Sequence, residues 1–304
     1  MKTRKSSPKP PLLILPSLAW FIIFLLIPIG IVLLYSIRHK GTYGQIDWNL
    51  NLDNYKRAFE PIYLMIVARS LWLAAYTTAI CLALSYPLAY FMARSSDNAK
   101  KVLLALVIIP FWTNFVIRVY SLKLVLGESG TINQILLKLH VITAPLQMVD
   151  NSFGVSVGMV YNYLPFMVLP MYVALDKFDF TLMDAAYDLG ATKLQTIVRV
   201  LLPLSLPGIV TGSLFVFIPA FGEFVIPDLL GGSQSMYVGT LITETFLKSR
   251  DWPFGSALSS FLVLFAMAAF MFVLSRQAAA DEAQRMVEGP ALAPQPDTGL
   301  AFHV

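Results

Sequence analysis

A carboxylate set in an apolar stretch is the first feature of this sequence with chemical consequence. Glu223 is the sole charge between Leu204 and Ile226. Such a group is costly in a bilayer and tends to face a bundle interior or a water-filled path. On a continuous helix Glu223 and Gly212, eleven residues apart, share nearly one face. Gly208 and Gly212 form a small-xxx-small pair that favours close helix contact. Arg118 lies in a second apolar stretch, Val102 to Leu126, together with Lys123. At about 1.5 Å per residue, Glu223 is roughly 29 Å from Leu204 and Arg118 roughly 24 Å from Val102, a similar depth. Two readings stay open: Glu223 lines a solute path, or it pairs with Arg118. Trp112 and Asn114, and Tyr161, Asn162 and Tyr163, fall near mid-membrane by the same count. Aromatic faces hold a cation without carrying a full charge, although helix packing and interhelical hydrogen bonding are the plainer uses of these residues. Asp228 follows Glu223 at the outer mouth.

Enzymatic constellations are not found. The three histidines, His39, His140 and His303, sit in loops or the tail, and no H-E-x-x-H, G-x-S-x-G or Cys/His metal spacing occurs. Cys81 is the single cysteine, so no intrachain disulfide is expected. There is no G-x-x-x-x-G-K-[ST]; Gly231-Gly232 lacks a following lysine. The expected protein is not an enzyme, has no cofactor of its own and has no nucleic-acid surface.

The elements that must position these residues are membrane helices. Of 304 residues 57% are hydrophobic and 13% charged, against roughly 25% charged in soluble domains. This leaves too little polar surface to cover a soluble fold, and too little charge for disorder. Six stretches approach the roughly 20 apolar residues that cross a bilayer: Pro10–Ile37, Ser70–Ala93, Val102–Leu126, Ser152–Leu175, Leu204–Ile226 and Ser256–Ser275. The first follows a basic start but is longer than a signal-peptide core of about 7–15 residues and has no A-x-A-like site, so it is read as retained. The predicted fold is all-α, with a tail at residues 1–10, a six-helix domain at 11–275 and a disordered tail at 276–304. The N-terminus, the 94–101 and 176–203 loops and the tail hold twelve Lys and Arg, against seven in the 38–61, 127–151 and 227–255 loops. That places both termini in the cytoplasm. The outer loops contain short amphipathic pieces, Asn133–His140 and Val238–Leu247.

One inner loop carries a spaced motif, Asp184 to Gly208, reading DAAYDLGATKLQTIVRVLLPLSLPG. Ala185 and Ala186 leave room for a helix to enter a tight cleft. Gly190 permits a positive φ and a reversal between two short helices. Asp184 suits the start of the first helix, Thr192 caps the second, Lys193–Leu202, and Pro203 and Pro207 turn the chain back into the membrane.

The positions Asp184, Ala185, Ala186, Gly190, Val200, Leu202 and Pro203 resemble the EAA loop of ABC importer membrane subunits, the MetI-like permeases; Asp184 stands where that pattern has Glu and Val200 where it has Ile. The resemblance implies that residues 184–203 are a coupling element docking on a separate ATPase, which binds the ATP. PAFGEFVIPDLLGG, Pro219 to Gly232, and RDWPFGSA, Arg250 to Ala257, further resemble the membrane subunits of spermidine/putrescine importers. That implies a bacterial inner-membrane permease, paired with a second permease subunit, driven by a cytoplasmic ATPase dimer and fed by an extracytoplasmic polyamine-binding protein. Permeation of another solute (ferric ion, an anion or a sugar), or a polytopic protein that transports nothing, is the alternative.

Overall fold

The computed structural model describes residues 15–41, 46–232 and 235–288. Helix α1 (Pro16–Ser36) is followed by a ribbon of two short antiparallel strands, β1 (His39–Lys40) and β2 (Ile46–Asp47). Then come α2 (Asp53–Ala58), the long α3 (Pro61–Ala93), α4 (Asp97–Ile108), α5 (Phe115–Leu126) and α6 (Thr131–Lys138). Helix α7 (Ser152–Asp176) precedes α8 (Thr181–Asp188), α9 (Lys193–Leu204), α10 (Leu206–Phe221) and α11 (Val225–Leu230). The last described elements are α12 (Val238–Leu247) and α13 (Trp252–Glu288).

Among the described residues four helices are long and apolar enough to cross a membrane, and up to six spans result if each of two bent pairs counts as one. The expected fold class therefore stands, with two corrections of geometry. The third span is not continuous: the helix of Asp97–Trp112 and the segment from Phe115 meet at 95°. The cause is local. Pro110 sits in a tightened 3-10 turn, Ile109–Trp112, Thr113 is extended, and Asn114 starts a new helix by accepting from the N–H groups of Val116 (2.9 Å) and Ile117 (3.4 Å). Arg118 braces the bend by donating to the Pro110 carbonyl at 3.1 Å, with its guanidinium 4.9 Å from the Phe111 ring centre. The second bent pair, α9 and α10, meets at 67°.

Proline also accounts for two wider turns. Residues Ile22–Leu26 and Ile197–Leu201 are π-helical, and each ends just before a proline, Pro28 and Pro203. A proline offers no N–H and its ring crowds the preceding turn, so the ladder shifts to i→i−5 bonds, here Ile27 N–H to Ile22 and Leu202 N–H to Ile197.

Helices α3, α7 and α10 form the core. Ala74, Cys81, Ala89 and Met92 of α3 pack with Met159, Met167, Met171 and Leu175 of α7 and with Val216 and Ala220 of α10. Small residues set the α7–α10 spacing, as the Gly208/Gly212 pair predicts. A Cβ on Gly208 would fall 2.4 Å from Ala174 Cβ, and one on Gly212 would fall 2.7 Å from Met167 Sδ. Gly208→Val is expected to force these helices apart at a cost of about 1–3 kcal/mol, read as a lower thermal midpoint of the detergent-solubilised protein; an unchanged midpoint would show that the helices are free to separate.

Polar contacts sort the loops into the two sets that the charge count separates. Lys40 donates to the Ser249 carbonyl, and Arg57 pairs with Asp251 at 2.9 Å; both contacts join the 38–61 and 227–255 loops. At the other end Lys100 pairs with Asp176 at 2.7 Å, and Arg94 lies 5.4 Å from the Phe180 ring centre. Helix α13 continues beyond the expected span end at 275 to Glu288, because Gln277–Glu288 is rich in the helix formers Ala, Glu, Gln, Arg and Met. The remaining tail residues, 289–304, and the N-terminal tail lie outside the described residues.

Candidate functional site: an exposed hairpin and a polar cleft

Helices α8 and α9 form an exposed hairpin at the end of the bundle that carries the Lys100–Asp176 pair. Asp184 lies in the first turn of α8, where its charge faces the positive end of the dipole. Before it, the Thr181 hydroxyl and N–H bond the Asp179 carboxylate and hold its pKa below the usual value. The reversal itself is a Schellman motif. Ala191 N–H donates to the Ala186 carbonyl (3.0 Å) and Gly190 N–H to that of Tyr187 (2.9 Å), with Gly190 at φ +83°. Thr192 and Gln195 then form a reciprocal capping box at the start of α9.

Buried Met183, Thr196 and Leu201 anchor the hairpin to the bundle, while Leu182, Leu194, Val198 and Leu189 are exposed, Leu189 to 89%. Asp184 and Ala185 are exposed and Ala186 half-buried. The hairpin thus presents an exposed apolar surface on a capped turn.

The carboxylate of Glu223 has a different setting from the one expected. It lies in a break between α10 and α11, past the end of the helix that carries Gly212. Its Oε1 accepts from the N–H groups of Phe224 (3.0 Å), Val225 (2.8 Å) and Ile226 (3.4 Å), and its Oε2 accepts from the Tyr163 hydroxyl at 2.6 Å. Glu223 therefore caps α11 and ties the break to α7. The alternative pair with Arg118 is not formed: Arg118 is turned to Pro110 and the Phe111 ring. Asn114 is a helix cap. Trp112 is 84% exposed at the bend, Tyr163 is buried behind Glu223, and Asp228 is exposed on α11.

Tyr161, one of the expected path residues, lines two clefts. A polar cleft of about 800 Å³ opens at the end of the bundle carrying the 127–151 and 227–255 loops; Arg69, Trp72 and Tyr76 of α3 face Asp150, Ser156 and Tyr237 across it. A second cleft of about 310 Å³ shares Tyr76 and Ser156 with the first and reaches Tyr161; a third, of about 340 Å³, runs from Tyr161 to Arg118. Shared residues link them in sequence, Tyr76 and Ser156 between the first and second and Tyr161 between the second and third, as a track from α3 and α7 to α5. Sequence reasoning missed Trp72, Tyr76 and Asp150. The spacing of Arg69, Trp72 and Tyr76, three and then four residues, marks one helix face and was the available signal.

Comparison with known proteins agrees with this architecture. Residues 85–284 match the model of the family described as binding-protein-dependent transport system inner membrane component. The chain is 42% identical over 255 residues to the spermidine/putrescine transport system permease protein PotB of Haemophilus influenzae, covering 84% of this chain and 89% of that one. It is 40% identical over 252 residues to PotB of Escherichia coli, covering 83% and 92%. Among solved structures, a bacterial ABC transporter involved in the import of the acidic polysaccharide alginate superposes with a TM-score of 0.68 at 18% identity, covering 87% of this chain and 94% of that chain. The chain belongs to the family of binding-protein-dependent transport system inner membrane components and is a multi-pass permease of the inner membrane.

Proposed function

We propose that the chain is the polyamine permease subunit of an ABC importer, working as a heterodimer with a second, similar permease. Two cytoplasmic ATPase subunits grip the hairpin at Asp184, Ala185, Ala186, Gly190 and Pro203. An extracytoplasmic binding protein delivers putrescine or spermidine to the opposite end, and both chain termini face the cytoplasm. Closure of the ATPase dimer on ATP draws the hairpins together, the helix bundles rock outward, and hydrolysis resets them. The chain's own part is mechanical: the capping box of α9 and the Schellman turn make α8–α9 stiff enough to transmit force into α10.

The observation that carries this reading is the exposed, capped hairpin with its motif spacing. Kinship to spermidine/putrescine permeases supports the choice of cargo. Cation chemistry on the path agrees with it. Tyr161 offers an aromatic face on the clefts, Asp228 stands exposed at the outer mouth, and Tyr163 with Glu223 fixes the break beside it.

The test is uptake by the complete importer in proteoliposomes with ATP inside. Labelled putrescine or spermidine is expected to accumulate, while ferric ion, molybdate and maltose are not. Accumulation of one of the latter three in place of the polyamines would overturn the cargo assignment. ATP hydrolysis with no accumulation of any of these cargoes would also count against it.

A further inference from the structure

Resting on the polyamine reading, we infer that Asp150 is an ammonium-binding residue of the outer cleft, occupied in this conformation by the ammonium of Lys123. Asp150 Oδ1 lies 3.7 Å from Lys123 Nζ, and both side chains are partly exposed. A lysine side chain ends in a primary alkylammonium, the same group that ends putrescine and spermidine. The pair is thus a tethered copy of the contact that a cargo terminus makes when it displaces Lys123.

The backbone around Asp150 is built to hold it there. Asp150 has φ +58°, a left-handed conformation rare for a residue with a side chain. Gly232, itself at φ +65°, packs against it so closely that a Cβ would fall 2.8 Å from the Asp150 carbonyl oxygen. Aspartate is among the few residues with a side chain that adopt this conformation readily, so the turn fixes where the carboxylate stands at the rim of the cavity.

The opposite wall supplies the rest of a diamine site. Trp72 and Tyr76 line the same cleft, one helical turn apart on α3, and present ring faces to an alkylammonium. Arg69, one turn before Trp72, repels a second ammonium from the outermost position. An extended diamine anchored on Asp150 is therefore directed inward, past Tyr76 and Ser156 to Tyr161, which the adjoining cleft brings into line. Asp150 would act as the point where a cation leaves the binding protein and commits to the track.

The test compares Asp150→Asn with Lys123→Gln in the complete importer, reading uptake of labelled putrescine and spermidine and the ATPase rate stimulated by the loaded binding protein. Asparagine tolerates the left-handed backbone, so Asp150→Asn removes the charge and keeps the turn. It is expected to lower uptake about tenfold, the scale of one lost charge-assisted contact, with stimulated ATPase activity held within about twofold. Lys123→Gln, which removes the resident competitor, is expected to transport at least as fast as wild type. Normal uptake by Asp150→Asn overturns the inference. So does a parallel loss of uptake and ATPase activity, or a loss in Lys123→Gln as deep as that in Asp150→Asn, since each marks the pair as a structural brace. Failure of the wild-type importer to move either putrescine or spermidine overturns the polyamine reading, and this inference with it.

Discussion

Replacing Gly190 with valine is expected to abolish ATP-driven uptake while the chain still inserts in the membrane. The residue sits at φ +83° between α8 and α9. A β-branched side chain in that region is strained by about 1–3 kcal/mol, enough to unseat the Schellman turn and swing the two short helices apart. Space within the chain is not the obstacle, because a Cβ at this position meets nothing within 4 Å. The helices that cross the membrane do not depend on the turn, so the amount of protein in the membrane fraction should match wild type. Asparagine, which tolerates positive φ, makes the discriminating control. If Gly190→Asn retains most of the uptake and Gly190→Val has none, the geometry of the turn is what couples. If both fail equally, the added side chain is instead colliding with a docked partner. Wild-type uptake by Gly190→Val would remove the coupling role altogether.

The contrast between this turn and the cleft shows what the sequence makes legible. The hairpin is local chemistry. A glycine, a Thr-x-x-Gln box and a proline each act within a few residues, so φ, cap and redirection were all readable. Helix α12 was legible for the same reason, its amphipathic run matching Val238–Leu247. The break at Thr113 was not, because an apolar count runs straight through Ile109–Ile117 and treats Asn114 as a polar residue in a span. Read as a cap in front of Val116 and Ile117, the same asparagine marks a helix start. Gly222 and Glu223 misled similarly: a helical wheel extended through them assigned the carboxylate a face, when it ends one helix and begins another. The cleft is assembled from α3, the 127–151 loop and the segment after α11, which meet only in the folded chain. No periodicity within one of them announces the others.

Glu223 separates a structural latch from a charged cargo ligand. Glu223→Leu is expected to be severely damaging. It leaves the N–H groups of Phe224, Val225 and Ile226 and the Tyr163 hydroxyl without the partner they now share. The Phe224 N–H is exposed and the other three groups are partly buried. Water therefore replaces part of the about 1–3 kcal/mol that each buried unpaired group costs, and a loss of about 1–3 kcal/mol in all, with a clear drop in thermal midpoint, remains. Glu223→Gln keeps a carbonyl oxygen for the three N–H donors, and the Tyr163 hydroxyl can rotate to accept from the new amide. Its midpoint should stay close to wild type, and its uptake within about threefold. A carboxylate that bound cargo by its charge would give the opposite ordering: Glu223→Gln would keep its stability and lose uptake as completely as Glu223→Leu. Tyr163→Phe adds an independent check, because it removes only the donor to Oε2 and leaves the cap in place. On the latch reading it loosens the α7 tie without melting α11, so its loss of midpoint should fall between those of the Gln and Leu variants. A Phe variant as unstable as the Leu variant would shift the weight of the latch from the cap to the Tyr163 bond.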